Sequence, residues 1–541
     1  MGWDAVVVGA GHNGLVAANL LTDAGWSVLV LEANATPGGA TRTAELAAPG
    51  FRSELCSAFY PLTAASPTIA ALDLGRYGLR WRHDHVPLVH VLPDGRTVTL
   101  SRDPAETAAS VERYGAGDGE RWLAEFAAWG RIKDAVIGSL LSPFPPVRSG
   151  VRLARRLGPA ELLRFARFAV QSTRRYSGEL FCGEGARLLI TGNAMHADLT
   201  LDTSGSAILG WLLSMLAQDV GYPVAEGGAQ SITDALVRRL EQGGGEIRCG
   251  ARVTAIEIRD GAAIGVRTAD GEAHSATRAV LVDVSAPALY RDLVGLPQLP
   301  ARVASDLANF AWDDATVKVD WALSAPVPWT DPAVRRAGTV HLDLDLDGFG
   351  RFALDLASGR IPVRPFILAG QMTSADPSRS PAGTETLWAY THVPRGLTWT
   401  PQRAAEVADR VQATIERHAP GFGSQVVGRA VSSPAGLQSE NANLVDGAIG
   451  GGTAALSQQL VFRPTPGLGR ADTPIDRLYL ASASAHPGGG VHGACGSNAA
   501  RAALARNRTG TGPVYRAAVG AAGRAVWGRT PGTGTHGGGG R

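Results

Sequence analysis

The chain has 541 residues, a formal net charge of +2, 45% hydrophobic residues and two lysines, Lys133 and Lys318. That length supports two or three domains' worth of core, and the near-neutral balance supplies no global field to draw in nucleic acid. Four cysteines, Cys56, Cys182, Cys249 and Cys495, stand far apart with no Cys-x-x-Cys, which argues against a disulfide framework, a dithiol redox pair or a metal centre.

Strand pattern begins at Trp3, leaving no room for a leader, so a cytoplasmic protein is expected. Residues 4–32 read as strand, glycine turn, helix and strand, the βαβ unit of a dinucleotide-binding fold. In Gly9-Ala10-Gly11-His12-Asn13-Gly14, the first glycine makes the tight turn, the second lets the backbone approach a pyrophosphate, and the third lets helix and strand pack closely. Free N–H groups at the helix start face phosphate oxygens. Glu32 stands where a carboxylate accepts hydrogen bonds from a ribose diol. The turn Pro37-Gly38-Gly39-Ala40-Thr41-Arg42-Thr43 follows at once, and its glycine pair lets the chain pass close to an extended FAD.

Residues 87–100 read as a hairpin about Pro93-Asp94-Gly95. His83, His85 and His90 lie near it; a polar strand face explains them better than a metal, since no further ligand is spaced to help. Residues 104–217 carry helical periodicity, and the apolar stretch 207–217 is far short of the roughly 20 residues that span a bilayer. Residues 148–175 hold eight arginines, one acid (Glu161) and leucine and phenylalanine at helical spacing. Such a stretch suits either a solvated helix face or an anionic membrane surface. The chain returns to the nucleotide fold at Tyr222-Pro223-Val224-Ala225-Glu226-Gly227-Gly228, with a helix at 231–242 and strands at 244–258, 261–266 and 279–283.

Residues 301–430 alternate strand-like runs with proline-rich turns. Asp343-Leu344-Asp345-Leu346-Asp347-Gly348 mimics the opening of a calcium loop, but its twelfth position is Leu354, and the alternation suits a strand. Near the end, Gly488-Gly489-Gly490-Val491 leads into a helix at 497–506, a second anion-facing device. Residues 507–541 are rich in Gly, Thr, Pro and Arg and read as a disordered tail.

Taken together, Gly9 to Gly14, Gly38-Gly39, 222–228 and 486–501 resemble the phytoene desaturase-like FAD oxidoreductases, over residues 4–506. Desaturase-type carotenoid ketolases and the pyridine nucleotide-disulfide oxidoreductase domain-containing protein 2 group fit best, through Gly11-His12-Asn13 and Gly496-x-Asn498-Ala499-Ala500. The resemblance implies an α/β, amine oxidase-like fold. A discontinuous Rossmann-like FAD domain (1–85, 220–300, 431–506) would carry an inserted α+β substrate domain (86–219, 301–430). It implies non-covalent FAD, with the Val253 backbone at the adenine and Gly489 to Val491 near the ribityl chain and ring. His12, Asn13 and Arg42 belong to the same cofactor-binding set. In this chain Ser482-Ala483-Ser484 replaces a Gly-x-Gly found in relatives, and a serine Cβ there would crowd the cofactor wherever φ must be positive.

The implied activity is oxidation, by dehydrogenation, of a lipophilic small molecule such as a carotenoid or other polyene, with oxygen or a quinone as acceptor. An amine oxidase-like enzyme and a catalytically quiet flavin-binding partner protein are the alternatives. Lys318, in the run Ala315 to Trp321, resembles the lysine that holds a water near the flavin in amine oxidases; a solvated strand lysine beside Asp320 is the competing reading. No second nucleotide site is expected, because Gly520-Ala521-Ala522-Gly523 has no preceding strand. Residues 148–175 would make a cytoplasmic enzyme peripheral on the inner membrane face. The residues do not specify an oligomeric state.

Overall fold

The computed structural model describes residues 2–528. Two seven-stranded sheets organise them. In the first, Trp3–Val8 lies between Ala273–Val282 and Val28–Leu31, and Glu246–Arg248 continues the parallel ladder. Leu478–Leu480 adds a further parallel strand beside Ala273–Val282. The valine-rich sequence follows from burial on both faces. Ala5 and Val7 enter the core beneath helices His12–Asp23, Gln230–Gln242 and Ala494–Asn507. Val6 and Val8 enter a second core on the other side. Helix Ala494–Asn507 sits so close to His12–Asp23 that a Cβ on Gly496 would fall 1.9 Å from the Asn13 carbonyl oxygen.

Ala273–Val282 serves two structures. Its first residues pair antiparallel with Ala262–Thr268, which in turn pairs with Val253–Arg259. Its last residues join the parallel ladder. The stretch 244–258, read above as one strand, is therefore two, separated by a turn at Gly250 with φ +72°.

The second sheet runs in the order Val426–Ser432, Ala315–Leu323, Glu385–Val393, Ile367–Gln371, Ala337–Leu342, Val86–Val91, Thr97–Leu100. Strand alternation gives it unlike faces. Val319, Trp321, Ala369, Ala389 and Val340 face Ala408, Val411 and Ile415 of helix Pro401–His418. The other face carries Thr316, Lys318 and Asp320 beside His392, Tyr390 and Trp388, with His341 and His90 farther along. Helices Asp118–Leu140, Glu184–Ala194 and Ser206–Asp219 contribute to the core beside it.

Three expectations need correction. Residues 507–541 are not a uniform tail: Gly512–Trp527 is a helix, anchored by buried Trp527 and by Tyr515, whose hydroxyl donates to Asp472 at 2.9 Å. The alanine and glycine between those anchors hid the periodicity. Residues 529–541 lie outside the described residues. The Asp343 to Gly348 segment is no strand: the strand ends at Leu342, and Asp345 caps helix Leu346–Ala357 by accepting from Gly348 N–H at 2.6 Å. The basic segment is broken at Gly158, with φ +71°, before Pro159. Gly520 and Gly523 lie within the C-terminal helix.

Candidate flavin site

An open cleft of about 610 Å³ lies at the carboxyl ends of the parallel strands. Gly9, Gly11, Glu32, Gly39, Val253, Asp283, Trp312 and the chain around Asn441 to Asn443 line it. Ligands of open α/β sheets occupy this position.

Gly9 has φ +95°; a Cβ on Gly11 would stand 2.6 Å from Asp283 Oδ2, and one on Gly14 would stand 2.1 Å from the Gly9 carbonyl oxygen. These glycines let the turn close tightly against Asp283 and against itself. Glu32 Oε2 accepts from Ala10 N–H at 2.8 Å and Oε1 from Asn34 N–H at 2.9 Å, which fixes the carboxylate at the cleft wall with further lone pairs to spare. Gly38 N–H donates to Ala10 O at 2.9 Å, locking the second glycine turn beside the first. Val253 lies at the cleft edge between Arg252 and Thr254. Arg42 turns away, donating to Gly39 O at 3.1 Å and Glu440 O at 2.7 Å, so it fixes the turn. Asn13 is buried, and its Oδ1 has no hydrogen-bond partner among the described residues.

The C-terminal glycine turn closes onto the same place. His12 Nε2 lies 3.2 Å from the Gly490 carbonyl oxygen, and burial lowers the imidazole pKa to about 4, keeping it neutral. Val491 O accepts from the Thr63 hydroxyl. Gly488 and Gly490 have φ +113° and +118°, and a Cβ on Gly489 would meet Gly450 O at 2.8 Å. Ser482 and Ser484 do not have left-handed backbone, so the serines bring no strain. Ser484 Oγ instead donates to Gly451 O at 2.8 Å.

The sequence reading missed what holds these turns. Arg463 is buried and donates to the carbonyls of Thr453, Gly450, Gly451, Gly452 and Ala483, at 2.8–3.3 Å. Asp313 accepts from the N–H groups of Ile449, Gly450 and Gly452 at 2.7–3.0 Å. The run Gly450-Gly451-Gly452 was the available signal, since it mirrors Gly488 to Gly490.

Lys318 is buried rather than solvated, with Nζ 2.5 Å from Asp320 Oδ1. Burial pushes the Asp320 carboxyl up, opposed by Lys318. Its charge also reaches Cys56, a thiol that burial raises to about 11. The next residue, Ser57, bonds Ala40 of the second glycine turn through N–H at 3.1 Å and Oγ at 2.8 Å. Lys318 therefore belongs to the wall between the polar sheet face and that turn.

Cys56, Phe59, His196, Asp314 and Tyr390 keep partial exposure among buried neighbours. Trp388 and Tyr390 stack at 5.9 Å, and Phe59 packs against both Trp388 and Tyr222. The Asp314 carboxylate has no hydrogen bond or ion pair within contact distance among the described residues; burial raises it to about 6, with His392 and Arg395 opposing and Asp198 and Asp313 adding.

The sequence matches that of the flavin-containing amine oxidoreductases over residues 14–504. The chain belongs to that family. Pyridine nucleotide-disulfide oxidoreductase domain-containing protein 2 of Rattus norvegicus is 28% identical over 92% of each chain. A lycopene-forming phytoene desaturase of Pseudescherichia vulneris is 27% identical over 92% of this chain and 98% of its own. An oxidoreductase of Methanosarcina mazei shares the fold, with a TM-score of 0.61 at 16% identity, over 92% of this chain and 99% of that one. The protein is a phytoene desaturase-like flavin-dependent oxidoreductase, and the glycine cradle fits the family's flavin. Among the described residues no helix is long and apolar enough to cross a membrane.

Proposed function

We propose that this family member binds one FAD non-covalently and dehydrogenates a lipophilic small molecule. The observation carrying the reading is the cleft lined by Glu32, Gly9, Gly11 and Gly39, with His12 of the same glycine turn bonded to Gly490 of the second. Bound there, FAD supplies two-electron oxidation of a C–H bond, with oxygen or a quinone as final acceptor. Glu32 would receive the ribose hydroxyls, the N–H groups at Gly11 to Asn13 would face the diphosphate, and Val253 would border the adenine. Gly489 to Val491 border the ribityl chain and ring. The aromatic wall excludes water, and Lys318 holds a proton-bearing group on the polar face. Purified protein should be yellow and release FAD on acid precipitation; colourless protein that cannot be reconstituted would sink the reading.

Asp314 favours a second reading, an amine oxidase-like activity. A half-buried carboxylate without a hydrogen-bonding partner suits an ammonium group, whereas covering it with hydrocarbon costs several kcal/mol. Turnover of amines with peroxide release, and none of polyenes, would select it. In either case NAD(P)H is not the reductant. Anaerobic mixing should show slow flavin reduction without saturation, and rapid saturable bleaching would refute this.

We also propose that helix Val147–Val170 contacts anionic lipid. Val147, Val151, Leu163 and Val170 are exposed, and Gly469 joins the helix entry at Phe144 to an exposed turn at Leu460 and Phe462. Arg164, Arg167, Arg174 and Arg175 are ion-paired, whereas Arg148, Arg152 and Arg155 have no acidic partner among the described residues. Each free arginine near such a surface contributes about 1 kcal/mol, less when salt screens it. Co-sedimentation with anionic vesicles should fall at high salt and when those three become glutamine; equal partitioning onto neutral vesicles removes the proposal.

A further inference from the structure

Asp283 follows the central strand Ala273–Val282 and reaches under the first glycine turn. Its Oδ2 accepts from Gly14 N–H at 2.9 Å, within the first turn of helix His12–Asp23. The same oxygen is what a Cβ on Gly11 would meet at 2.6 Å. Asn443 fixes the backbone there: its Nδ2 donates to Asp283 O at 3.1 Å and its Oδ1 accepts from Ser285 N–H at 2.9 Å. The side chain is buried, yet it lines the cleft. A helix start attracts anions, and two fixed close together there repel each other. If Asp283 is ionised, the cofactor's diphosphate meets a fixed carboxylate at the place that should receive it.

We propose, resting on the FAD assignment, that Asp283 is a cofactor-positioning residue that works as a neutral acid. Protonated, it holds the Gly9 to Gly14 loop without setting a charge against the diphosphate; ionised, it weakens FAD binding. Burial pushes this carboxyl up to about 8, and neighbouring Glu32 adds to the effect. The ligand therefore prefers the protonated form. Affinity is level below pH 8, because the proton is already in place, and falls above it by up to about tenfold per pH unit.

The other groups facing this end of the cleft leave that window clear. Burial lowers His12 and His492 to about 4 and 3, and raises the Cys495 thiol to about 12. Glu32, Arg252, Arg291 and Asp292 complete the charged lining.

The test measures FAD dissociation by flavin fluorescence and ultrafiltration between pH 6.5 and 9.5, with no turnover required. The parent protein should bind FAD about tenfold more weakly at pH 9 than at pH 7. Asp283→Asn, which has the same shape and cannot ionise, should hold FAD within about twofold across that range. A flat parent profile, or an Asn variant that falls in parallel, overturns the inference. If that variant does not fold, calorimetry of FAD binding to the parent at pH 8.5 in two buffers of different ionisation enthalpy decides the matter. Net proton uptake supports the proposal, and none refutes it. Protein that binds no FAD at pH 7 would sink the cofactor assignment itself, whereas equal binding at pH 7 and 9 sinks only the role of Asp283.

Discussion

Lys318 and Asp320 show how a single pair can be tested for two roles. The lysine side chain is 5% exposed and the aspartate fully buried. Removing one partner of such a pair costs about 3–5 kcal/mol, because it strands the other charge. Lys318→Met should therefore lower the melting temperature, and Lys318→Met with Asp320→Leu should recover most of the loss. If Lys318 also serves the chemistry, the stable double variant will still turn over slowly; parental rates in that variant would make the pair structural only. Arg463 allows a sharper expectation. Its guanidinium donates to five carbonyls, and Arg463→Leu removes the donor from those of Gly450, Gly452 and Ala483 at about 1–3 kcal/mol each where no relaxation intervenes. Unfolded or flavin-free protein is the expected outcome. A yellow variant that melts like the parent would show that the turn needs no such clamp.

Among the elements, residues 4–43 were legible because each glycine answers a steric demand that the coordinates reproduce at Gly9, Gly11 and Gly14. The helix after Gly493 was legible for the same reason. The C-terminal helix was not. Its long run of small residues carries little periodicity, and only contacts with distant residues, Trp527 Nε1 to Pro466 O at 3.2 Å and Tyr515 to Asp472, define its face. Trp527→Ala should cost about 3 kcal/mol, seen as a lower denaturation midpoint; an unchanged midpoint would mean the helix is dispensable. Asp283 and Arg463 were unreadable on similar grounds. A strand-end aspartate and an arginine before proline are ordinary in sequence, and both acquire their roles only through partners 269 and up to 20 residues away.

At the scale of the whole molecule, several acids are held above their usual range. Burial raises Asp84 and Asp314 to about 6 and Glu385 to about 7. Such groups keep their protons longer when folded than when unfolded. Their contribution is greatest below the unfolded pKa near 4 and is lost as pH rises through the folded value. Glu385 alone accounts for about 3 kcal/mol across that span. The melting temperature of the flavin-free protein should fall between pH 5.5 and 8, and Glu385→Gln should flatten the slope; a rising profile would contradict the raised pKa of these acids in the fold.

The first sheet spans nearly the entire chain: Trp3–Val8 waits for Ala273–Val282, which in turn waits for Leu478–Leu480. On a ribosome adding about 5–20 residues per second, the opening strand is made roughly 25–95 s before the closing one. Through that interval the nucleotide cradle has a floor and no lid, since the turn at Gly488 to Val491 comes later still. The nascent protein is then a half-built sheet with open hydrogen-bonding edges, exposed to aggregation and to holding chaperones. Flavin supply during expression should accordingly govern the final folding step, by trapping completed chains, and should not rescue any fragment that stops short of residue 480.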